Sequence, residues 1–170
     1  TNRIMVELPG VKEPERVSKL LASTAQLEFW TVCDVTDASD IMSVLYGEAN
    51  EIVRNYLLRE GASEIEVGYT PFTDLLRRDY VGIDNEGKAY DAIVSAPLVG
   101  AADKEDMALI NEYLAIDELR ALIPADVNLC WSNKSSENTS RGTFLLYALK
   151  GKNGALTPVL DGSGITNARA

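Results

Sequence analysis

The chain has 170 residues, of which 46% are apolar, and a formal net charge of −10 from 26 acidic and 16 basic side chains. This length and composition suffice to bury a core, as one domain or as a domain with an insertion. The shortage of Lys and Arg argues against nucleic acid or an anionic lipid surface as the main partner, because both are bound through basic side chains. The sequence has no His, the commonest general base and metal ligand. It also has no run of about 18 apolar residues that could span a membrane.

The first thirty residues predict a strand, a helix and a second strand. Apolar residues occupy alternate positions over 4–8, and Pro9-Gly10 ends the strand. Residues 14–24 begin with a proline behind an acidic residue and continue at helical spacing, and residues 25–29 return to period two. We expect two parallel strands joined by a right-handed crossover that serves as scaffold.

A long helix is predicted over residues 38–60. Asp37 or Ser39 is expected to cap its start, and Gly61 to stop its end. The helix carries one apolar stripe and a polar far side, which is typical of a helix packed on a core. The stripe consists of Ile41, Val44, Leu45, Ile52, Val53, Tyr56 and Leu57.

Patterns between residues 62 and 99 are weaker. They indicate a short strand at 65–67, a short helix at 71–78 and a turn at 83–88. The acidic turn lacks the regular spacing and final glutamate of a calcium-binding loop, so it predicts no metal site. Residues 92–99 read as an edge strand or a strand end, because a central strand would not accept Pro97.

The last third predicts two helices and two strands. Residues 103–115 show helical spacing, and Asp117 is expected to cap a second short helix. Residues 127–131 alternate as a strand, and residues 143–150 are expected to pair with them across a polar loop.

These elements predict an α+β protein with a ferredoxin-like, split β-α-β sheet, helices on one face of that sheet, and a helical insertion. The base would be discontinuous and comprise residues 1–33 and 92–170. Residues 34–91 would form the insertion.

No constellation predicts catalysis, and we expect no enzyme, no catalytic residue, no cofactor and no metal. The sequence lacks a phosphate-binding loop, a dinucleotide-binding glycine motif and a C-x-x-C motif. Cys33 and Cys130 are expected to be free thiols, because simple strand parity does not bring them together. A glycosidase needs two carboxylates facing a cleft, but a chain this acidic produces close pairs by chance. The pairs are Asp34 with Asp37, Glu64 with Glu66, Asp103 with Asp106, and Asp117 with Glu118.

One candidate contact surface emerges from strand parity. Trp30 falls on the face opposite Leu27 and Phe29, together with Met5 and Val32. If that face is uncovered, these side chains form an exposed apolar patch that could hold a partner. The alternative is that the helix over 38–60 covers them.

Four stretches of the chain resemble one protein family. They are RIMVELPGVKEPERVSKLLASTAQLEFW at 3–30, INEYLAIDELRALIP at 110–124, LLYALKG at 145–151, and the segment 160–169 that ends in ITNAR. In their order along the chain they resemble the first large extracytoplasmic domain of the protein-export membrane proteins SecD and fused SecDF, in a version with an enlarged insert.

That resemblance implies a non-catalytic periplasmic domain on the bacterial inner membrane. It implies a machine that assists the Sec translocon, uses the proton-motive force, and contacts a translocating unfolded polypeptide through the full-length protein. Membrane attachment would come only from flanking helices, and no nucleic acid is involved. The alternative from another class is a ferredoxin-like regulatory domain that binds a small ligand.

Overall fold

A computed structural model describes residues 28–84, 86–132 and 143–161 of the chain. The strands are β1 (Glu28–Phe29), β2 (Thr31–Val32), β3 (Asp79–Ile83), β4 (Ala89–Ile93), β5 (Leu98–Asp103), β6 (Val127–Trp131), β7 (Thr143–Lys150) and β8 (Leu160–Asp161). The helices are α1 (Val35–Ser43), α2 (Ala49–Arg59), α3 (Glu64–Val67), α4 (Met107–Leu114) and α5 (Asp117–Arg120). A π-helical turn, Val44–Glu48, joins α1 to α2, and a 3₁₀ turn follows β7 at Lys152–Gly154.

β7 is the centre of the main sheet. It pairs antiparallel with β6 on one side, and with β5 and then β2 on the other. The predicted pairing of residues 127–131 with 143–150 is therefore confirmed. β1 pairs antiparallel with β8 in a separate two-stranded sheet. The α+β class is shown, whereas the ferredoxin-like order stays a prediction, since most of the first strand–helix–strand unit lies outside the described residues.

The helices pack on one face of the main sheet. The buried side chains of α1, α2, α4 and α5 form a single apolar cluster with residues of the strands. On the strand side this cluster includes Cys33, Leu146 and Ala148. Its helical members include Ala38, Ile41, Leu45, Ala49, Val53, Ile110, Tyr113, Leu114 and Leu119.

The predicted helix over 38–60 is confirmed as one continuous helical segment, but it begins earlier than expected. Asp34, not Asp37 or Ser39, caps the helix, because its Oδ1 accepts a hydrogen bond from the backbone N–H of Asp37 at 2.9 Å. Gly61 follows the helix with φ of +100°, a conformation that glycine adopts without strain. The predicted stop is therefore confirmed.

The segment predicted as a helical insertion also contains strands. β3 and most of β4 lie within residues 34–91 and form a hairpin around the predicted turn, where Asp84 accepts hydrogen bonds from the backbone N–H groups of Glu86 and Lys88. Residues 65–67, predicted as a strand, belong to helix α3, and residues 71–75 form turns rather than a helix. The buried side chains of this segment share the apolar cluster of the main sheet, so the segment is packed onto that sheet.

Asp103 ends β5 and does not begin the next helix, which starts at Met107. Its carboxylate is buried and forms an ion pair with Arg77 at 3.0 Å, which removes it from the helix start. Asp117 is the first residue of α5 rather than its cap. Residues 92–99, predicted as one edge strand or strand end, divide into the end of β4, a connection over 94–97, and the start of β5 directly after Pro97.

Candidate contact surface

Val32 lies on the face of the main sheet that is opposite the helices. In the β2–β7 pairing it stands across from Leu149, and 56% of Val32 is exposed. The next residue, Cys33, is buried in the core and donates its backbone N–H to Ala148 O at 3.1 Å. Successive side chains of an extended chain point to opposite faces, so this pair of residues fixes which face is outward.

Trp30 lies on the same side as Glu28. Its indole N–H donates a hydrogen bond to Glu28 Oε2 at 2.9 Å, and the side chain is half-buried. Alternation from Trp30 to Val32 places both predicted residues on one side of the chain. Met5, the third predicted member, lies outside the described residues. The contact surface therefore stays a prediction.

The same face continues across β7 to β6. Leu149 stands beside Asn128, and Tyr147 beside Cys130, and all four side chains are half-buried. We call the outer face the set Trp30, Val32, Asn128, Cys130, Tyr147 and Leu149. Burial raises the pKa of the Cys130 thiol, and the negative charge of Glu28 raises it further.

Sequence reasoning missed the part of the outer face that β6 and β7 contribute. The available signal was the apolar character of both faces of residues 143–150, which is typical of a strand covered on two sides. The neighbours of Val32 are set by the pairing of β2 with β7, which lies more than one hundred residues further along the chain. No local sequence pattern predicts that pairing.

The helix proposed as an alternative cover packs on the other face. Lys150 stands across from Thr31, on the core side of β7, and its Nζ lies 2.6 Å from Asp37 Oδ2 at the start of α1. This hydrogen bond raises the pKa of Lys150. The described residues of α1 and α2 therefore leave the outer face uncovered.

A second polar arrangement holds the segment before β3 against β5. Tyr46, in the π-helical turn, places its hydroxyl 3.0 Å from Arg77 O and 2.9 Å from Val99 O. The guanidinium of Arg78 lies over the Tyr46 ring, 5.2 Å from its centroid. Burial raises the pKa of Tyr46 well above its usual range. Hydrogen bonding to Asp103 raises the pKa of Arg77.

In each acidic pair noted in the sequence, at least one carboxylate has a structural partner. Asp34 caps α1, and Asp103 pairs with Arg77. Glu66 accepts hydrogen bonds from the side chain and backbone of Ser63, and Glu118 pairs with Arg59 at 2.8 Å. These contacts lower the pKa values of Glu66 and Glu118, the opposite of what a general acid at neutral pH requires.

Two surface grooves lie beside α5, and the first is lined by the carboxylates of Glu60, Glu112, Asp117 and Glu118. The first, of about 460 Å³, separates the end of α2 from the start of α5 and contains the Arg59–Glu118 ion pair. The second, of about 560 Å³, follows α5 as far as Ala125. Within the described ranges no three His, Cys, Asp or Glu side chains could hold a metal ion. Both cysteines are free thiols, as predicted.

The chain is similar to protein translocase subunits of the SecD type. Residues 1–34 match the family model for the N-terminal part of the P1 domain of the protein translocase subunit SecDF. The chain is 27% identical to the protein translocase subunit SecD of Rhodothermus marinus over 179 aligned positions, which cover 99% of this chain and 27% of that protein. SecD of Aquifex aeolicus is 37% identical over 89 residues, about half of this chain and 17% of that protein. SecD of Syntrophobacter fumaroxidans is 43% identical over 42 residues, a quarter of this chain and 8% of that protein.

The chain is similar to SecD over nearly its whole length. The resemblance inferred from the residues, to the first periplasmic domain of SecD and SecDF, is thereby confirmed. The chain spans about a quarter of the length of the Rhodothermus SecD that it matches. No solved structure matches it. In the parts of this SecD relative that the structure describes, no helix is long and apolar enough to cross a membrane.

Proposed function

We propose that this SecD relative is a non-catalytic, periplasmic part of an accessory subunit of a Sec-type translocase. In the complete protein it would assist the export of unfolded polypeptides across the inner membrane, in a machine that uses the proton-motive force. The observation that carries this proposal is the similarity to a SecD subunit over 99% of the chain. The partners would be the translocon and the translocating polypeptide, and helices flanking this chain in the complete protein would supply the membrane attachment.

Two features of the structure support a role in holding polypeptide rather than in catalysis. The outer face offers half-buried and exposed apolar side chains, including Val32, without a basic cluster that would favour nucleic acid. The carboxylates of Asp103, Glu66 and Glu118 are used in ion pairs and a cap, so they contribute to the fold. We further propose that Trp30, Met5 and Val32 belong to the contact surface, extended across β6 and β7.

We also propose that residues 1–33 and 92–170 form a ferredoxin-like base with residues 34–91 inserted into it. The antiparallel β6–β7 pair with helices on one face supports this arrangement. The shared core gives the inserted segment a fixed position on the base, since Leu45 and Val53 are buried in the same cluster as Leu146. An insertion held in this way would move with the base.

The export role is tested in the complete protein. Deleting residues 34–91 should slow the export of a slowly secreted substrate in pulse-chase measurements. Because that deletion also removes core side chains, a second variant, Trp30→Ser with Val32→Asp, changes the outer face alone. The matched control is Ile65→Asp, which introduces the same charge outside the outer face, at a residue that is 95% exposed. Unchanged export in the outer-face variant and the deletion, with both proteins at normal cellular levels, would remove the proposed role.

A further inference from the structure

Among the described strands, β4 is the outermost one of a sheet that continues beyond β5. The backbone of Arg77, just before β3, exchanges two hydrogen bonds with Ala101 of β5, at 2.8 Å and 2.9 Å. On its other side β3 pairs antiparallel with β4. The paired residues run from Asp79 opposite Ile93 to Ile83 opposite Ala89. The order β6, β7, β5, β3, β4 therefore leaves β4 at the edge.

The hydrogen bonds at the two ends of the hairpin show which groups of β4 face outward. Val94 donates its N–H to Arg78 O at 2.7 Å, and Asp84 donates its N–H to Lys88 O at 3.0 Å. Because antiparallel pairs alternate, the even-numbered residues of β4 bond to β3 and the odd-numbered ones direct their N–H and C=O groups away from it. These are Ala89, Asp91 and Ile93. Over the described ranges, these three residues have no backbone hydrogen bond on that side.

The side chains leave this edge accessible. Ile93 is 75% exposed, and Ala89 and Asp91 are also exposed. Tyr90 packs its ring against Gly82 across the hairpin, so closely that a Cβ at Gly82 would lie 2.6 Å from Tyr90 Cζ. The strand contains neither Pro nor Lys, two residues that often protect sheet edges from pairing.

The negative charge of the β3–β4 hairpin favours a positively charged binding partner. Residues 79–93 contain four acidic side chains, Asp79, Asp84, Glu86 and Asp91, against one basic side chain, Lys88. A second copy that paired its whole β4 antiparallel would set Asp91 against Asp91, and like charges directly across a strand pair are destabilising. A complementary strand would instead carry a basic residue across from Asp91 and apolar residues two positions to either side.

We propose that the β4 edge binds an extended polypeptide segment of this basic and apolar pattern by adding it to the sheet as a further strand. Main-chain hydrogen bonds to Ala89, Asp91 and Ile93 would give the affinity, and Asp91 and Ile93 would give the selectivity. The inference goes beyond the proposed export role, and it is tested without the export machinery.

The test uses the isotope-labelled 170-residue chain and the peptide acetyl-Val-Thr-Lys-Thr-Val-amide. At saturating peptide, amide hydrogen exchange at Ala89, Asp91 and Ile93 should slow by about tenfold or more, while Tyr90 and Ala92, already bonded to β3, should change little. This alternation distinguishes strand addition from general electrostatic attraction. The same peptide methylated on every backbone nitrogen keeps its charge but loses its donors, so it should give no protection.

Charge reversal supplies the control. The wild-type chain should prefer the lysine peptide over one with glutamate in its place by about tenfold, and Asp91→Lys should reverse the preference. Asp40→Lys, the same change on the exposed side of α1, should leave it unaltered. Equal binding of both peptides, protection outside β4, or concentration-dependent protection of β4 without peptide would each overturn the proposal, the last because it identifies a second copy as the occupant.

Discussion

The Tyr46 hydroxyl should contribute measurably to stability, because it joins the helical segment both to β5 and to Arg77 in the segment before β3. Tyr46→Phe removes only the hydroxyl, which lies within hydrogen-bond distance of Arg77 O and Val99 O. Removing a part-buried donor leaves its acceptors without that partner, and the expected loss is about 1–2 kcal/mol in the free energy of unfolding. For a chain of this size that corresponds to a fall of about 2–8 °C in Tm.

The pH dependence of the free energy of unfolding tests the same contact in a second way. Burial raises the pKa of Tyr46 above its ordinary value of 10.0, so the folded chain retains a proton that the unfolded chain releases. The stability from this group is fully present below pH 10 and is lost as the pH rises above it. The stability difference between the wild type and Tyr46→Phe should therefore narrow above pH 10, by about 1.4 kcal/mol for each pH unit at most. Tyr80 and Tyr113 also have raised pKa values, but they are present in both proteins and cancel.

Urea unfolding followed by circular dichroism at pH 7 and between pH 9 and 11 measures both effects. The matched control is Tyr69→Phe, the same chemical change at a residue that is 88% exposed, which should alter stability by no more than about 0.5 kcal/mol. If Tyr46→Phe were as neutral as Tyr69→Phe, the placement of the 70–78 segment against β5 would be wrong. A difference between the wild type and Tyr46→Phe that stays constant above pH 10 would contradict the burial of the hydroxyl.

Two further predictions follow from the core and the thiols. Gly100→Ala would place its Cβ 2.6 Å from Leu76 Cδ1 and should destabilise the chain by about 1–3 kcal/mol in urea unfolding, whereas Gly47→Ala, with open space around it, should not destabilise it. In the folded chain Cys130 should react with a thiol reagent faster than Cys33 at pH 8, because Cys33 is 2% exposed and Cys130 is half-buried. Equal rates for the two thiols would contradict the assignment of Cys33 to the core.

Local sequence patterns correctly predicted those elements that are determined by residues close together in the sequence. The helical period over 38–60, the stop at Gly61, the 83–88 turn and the alternation of β6 were readable because each depends on neighbours within one or two turns of chain. A capping box was also present in the sequence, since Ser63 and Glu66 have the required spacing, and recognising it would have given helix α3 instead of a strand.

Other features depend on contacts between distant residues. Aspartate is common at the start of a helix, but Asp103 forms an ion pair with Arg77 and lies at the end of β5. Arg77 itself pairs with Ala101, and Val32 stands across from Leu149, through tertiary packing that no local pattern encodes. Of the candidate surface, Trp30 and Val32 were predicted from parity, whereas Tyr147 and Cys130 required the β6–β7 pairing to be known.

Site-specific photo-crosslinking in the complete protein tests most directly whether the outer face contacts exported polypeptide. A photoreactive amino acid at position 32 should crosslink to a chain stalled during export, and one at position 51, exposed on the helical side, should not. Both positions are solvent-accessible, so the comparison separates specific contact from mere proximity. Crosslinks of equal yield from both positions, or none from position 32 while the protein still supports export, would contradict the account.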